Sequence, residues 1–127
     1  MKKAQRLGEQ TVFITSFDAR IARIYTIPAW KENQTRLQSP GEDYEAGADL
    51  LFIANDLGAD SELDQQGRVL LPTNLRRQLE IENAPVWLEG YDERINVYGE
   101  AVYQERKRTA MVNVADKLKL WEKKGLR

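Results

Sequence analysis

Five consecutive residues, Asp64, Gln65, Gln66, Gly67 and Arg68, combine groups that can recognise a nucleic acid. An exposed arginine at the turn of a β-hairpin can donate two hydrogen bonds to a guanine edge or bind a phosphate. A carboxylate four residues earlier can hold the guanidinium in place across the turn, and the glycine gives the backbone freedom there. The two glutamines can donate and accept hydrogen bonds at base edges. This segment is our candidate DNA contact.

Two further arginines, Arg76 and Arg77, lie on a short predicted helix and are candidates for phosphate contacts that position the turn. Both features also have a purely structural interpretation. Asp64 and Arg68 can form a cross-turn ion pair of the kind that contributes little to stability at a protein surface. One of the two helical arginines can pair with Glu80 along the helix. The residues alone leave these alternatives open.

The 127 residues contain no cysteine and no histidine. Their absence excludes disulfide bridges, thiol nucleophiles, serine–histidine catalysis and metal sites built from Cys or His. Asp60, Glu62 and Asp64 alternate as in a calcium loop. They do not form an EF-hand, because Gln65 and Leu71 occupy the positions that require glycine and a carboxylate. An enzyme that uses only carboxylates or a lysine stays formally open, but we expect no enzyme, no cofactor, no metal and no small-molecule substrate.

The charged residues are unevenly distributed, although the net charge is only −1. Residues 1–101 hold 11 basic and 17 acidic side chains, whereas residues 102–127 hold 8 basic and 3 acidic ones. A basic segment of this size can attract phosphate, but a solvated helix with lysines on its outer face is the simpler interpretation. The C-terminal segment alone therefore does not indicate nucleic-acid binding.

The composition is that of a globular protein, with 42% apolar and 31% charged residues. The length suits one domain or two small half-domains. No apolar run is long enough to span a bilayer, and Met1 is followed by no apolar segment of a secretory signal. We expect a cytoplasmic protein without a membrane partner.

The elements that must position these residues show an internal repeat. Residues 12–21 align with residues 86–95 through identical Val, Asp, Arg and Ile positions. With one residue inserted, the match extends to Trp30 over Tyr103. Each copy predicts a strand, a tight turn, a second strand and a helix. We interpret the repeat as a duplication.

Helical segments connect and extend the two copies. Residues 29–37 and 42–57 have helical spacing, and Gly58 can end the second helix. Residues 99–124 are predicted to be mostly helical, and their apolar stripe consists of Val114, Leu118 and Trp121. We expect this stripe to pack on the protein itself or on a neighbouring subunit.

A hairpin is predicted immediately before the second copy. Its first strand runs through Leu63, residues 65–67 turn, and residues 69–71 form an apolar strand that Pro72 ends. A short helix follows through Leu75 and Leu79.

The same hairpin is missing from the first copy. If the alignment of the two copies is continued towards the N-terminus, the equivalent hairpin would lie upstream of Met1. Lys2 and Lys3 then align with Arg76 and Arg77 of the helix that follows the hairpin. Leu7 and Gly8 are expected to end that first helix. Either the true start codon lies upstream of the codon for Met1, or the chain is a shortened paralogue.

The segment from Asp64 to Pro72, followed by Leu75 and Arg76, resembles the signature of the MraZ family. These are bacterial DNA-binding proteins of the AbrB-like swapped-hairpin class. The family pattern is a leading Asp, three residues, Arg, an apolar strand, Pro, and then Leu-Arg on a helix. The resemblance covers about residues 7–105 and includes the duplication.

The resemblance implies a transcriptional regulator of the division and cell-wall gene cluster. Such proteins assemble as rings and contact repeated DNA boxes through their Asp-x-x-x-Arg segments. It implies double-stranded DNA and further copies of the chain as partners, and a location at the nucleoid. Asp64 and Arg68 match that segment. Together with the residues argued for above, our candidate DNA-binding residues are Asp64, Gln65, Gln66, Gly67, Arg68, Arg76 and Arg77.

The fold implied by the resemblance is α+β, with duplicated swapped-hairpin β-barrel half-units and flanking helices. Residues 1–58 would form the first half-unit, truncated and including the helical connector. Residues 59–127 would form the second half-unit with the C-terminal helix.

Two other functions are considered beside DNA binding. With one hairpin missing, the chain could be a self-association module that has lost DNA binding and forms mixed oligomers with a full-length relative. It could also be an AbrB-type antitoxin whose tail neutralises a toxin. The antitoxin hypothesis expects a disordered C-terminal tail, whereas the apolar stripe on residues 99–124 indicates an ordered helix.

Overall fold

The computed structural model describes residues 10–127, which form an α+β fold with one antiparallel sheet. The strands of this described part are β1 (Gln10–Ser16), β2 (Ala22–Thr26), β3 (Ala59–Leu63), β4 (Trp87–Tyr91) and β5 (Arg94–Tyr98). The helices are α1 (Ile27–Leu37), α2 (Tyr44–Leu57), α3 (Thr73–Gln78), α4 (Glu100–Met111) and α5 (Val114–Lys123). The predicted α+β class is therefore confirmed.

The sheet has the strand order β3-β1-β2-β5-β4. β1 and β2 form one hairpin, β4 and β5 form another, and the two hairpins join through β2 and β5. β3 is added to the outer edge of β1, although it lies next to the second hairpin in the sequence. If β3 is set aside, the remaining order is β1-β2-β5-β4, in which each hairpin has one outer and one central strand. A pseudo-twofold axis between β2 and β5 therefore relates the two hairpins.

The two aligned segments occupy equivalent positions about this axis. Phe13 stacks on Trp30 with ring centroids 4.6 Å apart, and Trp87 stacks on Tyr103 at 4.7 Å. These are the positions that the sequence alignment pairs. The predicted order of strand, turn, strand and helix is confirmed for both segments.

The two hairpins are closed differently. In the first, the Asp18 carboxylate accepts the backbone N–H groups of Arg20 and Ile21 at 2.9 and 3.0 Å. Burial raises the pKa of Asp18, but these hydrogen bonds and one from Ser16 outweigh it, so the pKa is lowered. In the second hairpin, Asp92 adopts a left-handed conformation with φ of 56°. Five residues separate the paired Ser16 and Ala22, whereas four separate the equivalent pair, Gly90 and Ile95. This difference is the single residue inserted in the alignment.

Alternating residues of the central strands build a core on both faces of the sheet. On one face, Phe13 and Tyr25 pack against Ala29 and Trp30 of α1. On the other face, a second cluster forms around the fully buried Leu75 of α3. Its sheet residues are Val12, Ile14, Ala22, Ile24 and Val97. α3 therefore anchors the segment after the candidate turn to the sheet.

The helices of the first half differ slightly from their predicted bounds. α1 begins at residue 27 because Thr26 caps it, accepting the Ala29 N–H at 3.2 Å, and a proline follows in the first turn. α2 begins at residue 44 rather than at the predicted residue 42, and it ends at Leu57 with Gly58 as its C-cap, as predicted. A Cβ at Gly58 would lie 2.4 Å from the ring of Phe13, so glycine allows α2 to approach β1 closely.

The C-terminal segment is two helices rather than one. The prediction that residues 99–124 are mostly helical is confirmed, and Asn113, with a left-handed backbone at φ of 54°, separates α4 from α5. The stripe of Val114, Leu118 and Trp121 is exposed, so it does not pack on the described part of the chain. Packing of this stripe on a neighbouring subunit, the other expected location, stays a prediction.

Several predictions fall outside residues 10–127. They concern Lys2, Lys3, Leu7, Gly8 and the hairpin expected upstream of the chain. Among the described residues, no helix has the length and apolar character needed to cross a bilayer.

Candidate nucleic-acid interface

Asp64 organises the turn that follows β3. One of its carboxylate oxygens accepts the backbone N–H groups of Gln66 and Arg68 at 2.9 and 2.8 Å. The other oxygen accepts the side-chain Nε of Arg68 at 2.9 Å. A short polar side chain at the start of a turn commonly closes it in this way. The carboxylate therefore fixes the turn and the arginine together.

The backbone closes the same turn with two further hydrogen bonds. The N–H of Asp64 donates to the carbonyl of Arg68 at 2.9 Å, and the N–H of Gly67 donates to the carbonyl of Asp64 at 3.0 Å. Gly67 has φ of +79°, in the left-handed region that favours glycine. A Cβ there would meet nothing within 4 Å, so the requirement for glycine is one of backbone conformation.

The environment of Asp64 favours its charged form. The backbone N–H of Arg68 contributes most to lowering the pKa of the carboxyl, and the Arg68 guanidinium and the Gln66 N–H add to it. Desolvation, the second-largest effect, raises the pKa but is outweighed by the hydrogen bonds and the charge of Arg68. Asp64 is therefore ionised at neutral pH and holds the guanidinium through both charge and hydrogen bonding.

The guanidinium of Arg68 is oriented but accessible. Its side chain is 75% exposed, and Nη2 donates to the Gln66 side-chain oxygen at 3.0 Å. Since Nε donates to Asp64, two of the five donors of the guanidinium are used within the turn. The remaining donors can bind a guanine edge or a phosphate. Gln65 and Gln66 are exposed in the same turn.

The segment after the turn is not the strand that the sequence predicts. Residues 69–71 form no ladder within the described chain. Val69 and Leu71 pack against the cluster around α3, and the Ser61 hydroxyl donates to the carbonyl of Leu70 at 3.0 Å. These contacts hold the segment beside β3 without ladder hydrogen bonds. No sequence signal identified Ser61 for this role.

The two arginines of α3 have different surroundings. Arg76 is half-buried, and its Nη2 donates to the Thr73 hydroxyl at 2.9 Å, while its buried Nε lacks a partner among the described residues. Arg77 is exposed and lies 3.8 Å from the carboxylate of Glu82. The predicted ion pair with Glu80 is therefore wrong. Neither arginine has a hydrogen bond or ion pair with the turn in the described structure. Arg77 is the more accessible of the two to phosphate, because it is exposed whereas Arg76 is half-buried.

The basic C-terminal helices lie mostly in solvent. Arg106 pairs with Glu89 at 3.7 Å, and the ammonium of Lys124 lies 4.9 Å from the ring centre of Trp121. The Lys117 ammonium donates to a backbone carbonyl at the end of α4. Their exposed positions match the solvated-helix interpretation of this segment.

Comparison with known proteins shows that the part of the chain with the candidate turn matches a protein family. The family described as "MraZ protein, putative antitoxin-like" matches residues 58–124, more than half of the chain. The chain belongs to the MraZ family. The MraZ match contains β3, the candidate turn, α3, the second hairpin and both C-terminal helices, α4 and α5. The family suggested by the sequence signature is therefore confirmed.

Three relatives named "Transcriptional regulator MraZ" extend this MraZ likeness into the first half of the chain. The protein of Thermoanaerobacter sp. is 29% identical over 105 residues, which cover 82% of this chain and 71% of that protein. The protein of Desulfitobacterium hafniense is 30% identical over 107 residues, covering 84% and 73%. That of Herpetosiphon aurantiacus is 32% identical over 114 residues, covering 87% and 73%.

Proposed function

We propose that this MraZ-family chain is a DNA-binding transcriptional regulator without enzymatic activity. Its target would be double-stranded DNA with repeated boxes in the promoter of a division and cell-wall gene cluster. It would act in the cytoplasm, at the nucleoid. The names of the relatives support regulation of transcription, and the turn at residues 64–68 supplies chemistry suited to DNA.

The geometry of Arg68 carries this proposal. A flexible arginine loses conformational entropy when it binds, whereas the Arg68 guanidinium is already oriented by Asp64 at an exposed turn. The donors that remain can make a bidentate contact with guanine. Gln66 supports the guanidinium and can contact the neighbouring base, while Arg77 on α3 can bind the backbone and set the register.

One such turn gives weak binding, so we propose that the protein acts as an oligomer, as a ring in the form implied by the family. Several turns on one assembly can raise the affinity for repeated boxes by orders of magnitude without any new type of contact. The exposed stripe of Val114, Leu118 and Trp121 is a candidate surface for assembly.

We also propose the two half-units as residues 1–58 and 59–127, in a swapped-hairpin arrangement. The position of β3 supports this division, because β3 precedes the second hairpin in sequence but pairs with β1 of the first. The second half-unit would thus lend its hairpin to the first. The DNA-binding turn of the second half-unit is consequently held by the first.

The test compares Arg68→Ala with Arg36→Ala in fluorescence anisotropy on a promoter fragment with repeated boxes. Arg36 is a matched control, since its side chain is 71% exposed and it also lies beside an acidic residue four positions away. We expect Arg68→Ala to weaken binding about 10- to 100-fold, without changing the mass of the oligomer. Arg36→Ala should bind like wild type. Equal affinities for the two variants would remove Arg68 from the site.

The self-association hypothesis is the second candidate, and the uncovered stripe on α5 favours it. It predicts that the wild-type chain assembles but does not bind DNA. Phosphate contacts make the affinity for DNA fall steeply with salt. Binding of the wild-type chain to DNA that weakens steeply with salt would therefore support the regulator, whereas assembly without any DNA binding would support the self-association module. The antitoxin hypothesis is less suited to this chain, because α4 and α5 take the place of a disordered tail.

A further inference from the structure

The outer surface of α2 carries an apolar row that faces solvent. The helix packs on the sheet through its inner side, where Ala54 and Leu57 are buried. Tyr44, Ala48 and Phe52 are spaced four positions apart, so they lie in one row along the helix. Tyr44 is 51% exposed and Phe52 is 73% exposed. Exposed aromatic side chains in a row on a helix are typical of a surface that another protein covers.

An acidic row runs beside the apolar row of α2. Glu45 and Asp49 are also four positions apart, and Asp56 continues the acidic row towards the end of the helix. Residues 42–58 contain five acidic and no basic side chains. We call the apolar row and the acidic row together the α2 face. A partner that fits the α2 face needs an apolar row with positive charges beside it.

α5 has this complementary chemistry. Its stripe of Val114, Leu118 and Trp121 is exposed, and Trp121 has the largest exposed fraction of the three, 56%. Lys117 and Lys124 flank the stripe, since the ammonium of Lys124 lies 4.9 Å from the ring centre of Trp121 and Lys117 is seven positions earlier on the same side. Residues 114–127 contain five basic and two acidic side chains. We call the stripe and the two flanking lysines the α5 face.

We propose that the α2 face of one copy binds the α5 face of a second copy. This inference rests on the proposed oligomer and names the two surfaces that join its subunits. The apolar rows of the two helices would pack together, and the carboxylates of α2 would lie beside the ammonium groups of α5. Charge complementarity of this kind fixes the register of a contact and disfavours wrong pairings.

The charges also decide how the copies are arranged. Pairing of two α2 faces would bring acidic rows together, and pairing of two α5 faces would bring basic rows together, so both twofold contacts are disfavoured. The contact between unlike faces is heterologous, and such contacts close into rings or continue as open chains. Both faces are exposed in a single copy, so α2 and α5 of the same chain do not cover each other. A second copy already carries the complementary face, which favours it over a different protein.

The test mixes two variants that each lose one face, and sedimentation velocity without DNA measures their mass. Phe52→Glu disrupts the α2 face and keeps the α5 face, whereas Trp121→Glu does the reverse. We expect the wild type to assemble beyond a dimer and each variant alone to be monomeric, since the contact is weakened at least about 10-fold. An equimolar mixture should form a one-to-one dimer, because one intact α2 face meets one intact α5 face.

Leu120→Glu is the matched control for these variants. Leu120 is 52% exposed and belongs to α5, but it does not lie on the apolar stripe. Its variant should therefore assemble like the wild type. Circular dichroism establishes that all three variants are folded, as the exposure of the replaced side chains predicts.

Disulfide trapping gives a second measurement, because the chain contains no cysteine of its own. Ala48→Cys mixed with Leu118→Cys should form a cross-linked dimer faster than either variant alone. Replacing Leu118→Cys by Leu120→Cys should abolish this advantage.

The inference is overturned if the wild type assembles and the mixture of Phe52→Glu and Trp121→Glu stays monomeric. It is equally overturned if either of these variants assembles like the wild type, which would indicate a twofold contact or a surface elsewhere. A monomeric wild-type chain would contradict the proposed oligomer itself, so the two failures are distinguishable. None of these measurements depends on DNA binding.

Discussion

The carboxylate of Asp64 accepts both the backbone N–H and the side-chain Nε of Arg68, at 2.8 and 2.9 Å. One side chain therefore sets the shape of the turn and the direction of the guanidinium. A simple surface ion pair needs only the second of these contacts. Because the two functions are joined in Asp64, its replacement should affect DNA binding even though Asp64 itself carries the wrong charge for phosphate.

Asp64→Asn should weaken DNA binding severalfold. The amide can keep hydrogen bonds to N–H groups through its oxygen, but it has no charge to hold the guanidinium, so Arg68 becomes more mobile. Loss of a negative charge alone would strengthen binding to DNA, and the two interpretations thus predict opposite signs. Anisotropy measurements on the promoter fragment decide between them. Glu32→Gln, which removes the acidic neighbour of Arg36, is the control for charge.

The Asp64 carboxyl should titrate below its ordinary range, which carbon-detected NMR can measure. Its hydrogen bonds lower the pKa in the folded state, so their contribution is present above the unfolded pKa of about 4 and is lost as the pH falls through the folded value. Arg68→Ala should raise the pKa only in part, because the largest effect comes from the backbone N–H of residue 68, which alanine retains. A complete return to the ordinary value would contradict this assignment.

The sequence predicted the local elements well where a repeat or a special residue defined them. The turn at Gly67 and the end of α2 at Gly58 are examples. The pairing of β3 with β1 could not be predicted, because it joins distant parts of the chain and depends on tertiary packing. Residues 69–71 were predicted as a strand from their apolar character, yet a strand also needs a partner, and sequence alone does not supply one.

The candidate site was predictable only in its composition. The pattern from Asp64 to Arg68 indicated a side-chain contact across the turn, and that contact is present. The partners of Arg76 and Arg77 were not predictable, since the helix ends before Glu80 and the backbone there becomes left-handed. The ion pair of Arg77 is consequently made with Glu82 in the following loop.

Gly67→Ala should lower the free energy of unfolding by about 1 kcal/mol and weaken DNA binding, because alanine is strained at positive φ. Gly67→Asn should be milder, since asparagine tolerates the left-handed region better. Gly90→Ala is a matched control. A Cβ at either glycine meets nothing within 4 Å, but Gly90 has no positive φ. Equal stability of both alanine variants in urea denaturation would refute the conformational requirement at Gly67.

The two stacked pairs should differ in their contribution to stability, although they are equivalent in the repeat. Trp30 is buried and contacts the rings of Phe13, Phe17 and Tyr25, whereas Tyr103 stacks on Trp87 and is only partly buried. Trp30→Ala should cost about 3–5 kcal/mol, and Tyr103→Ala clearly less. Urea denaturation of both variants measures the difference. Equal losses would mean that α4 encloses the second hairpin as fully as α1 and α2 enclose the first.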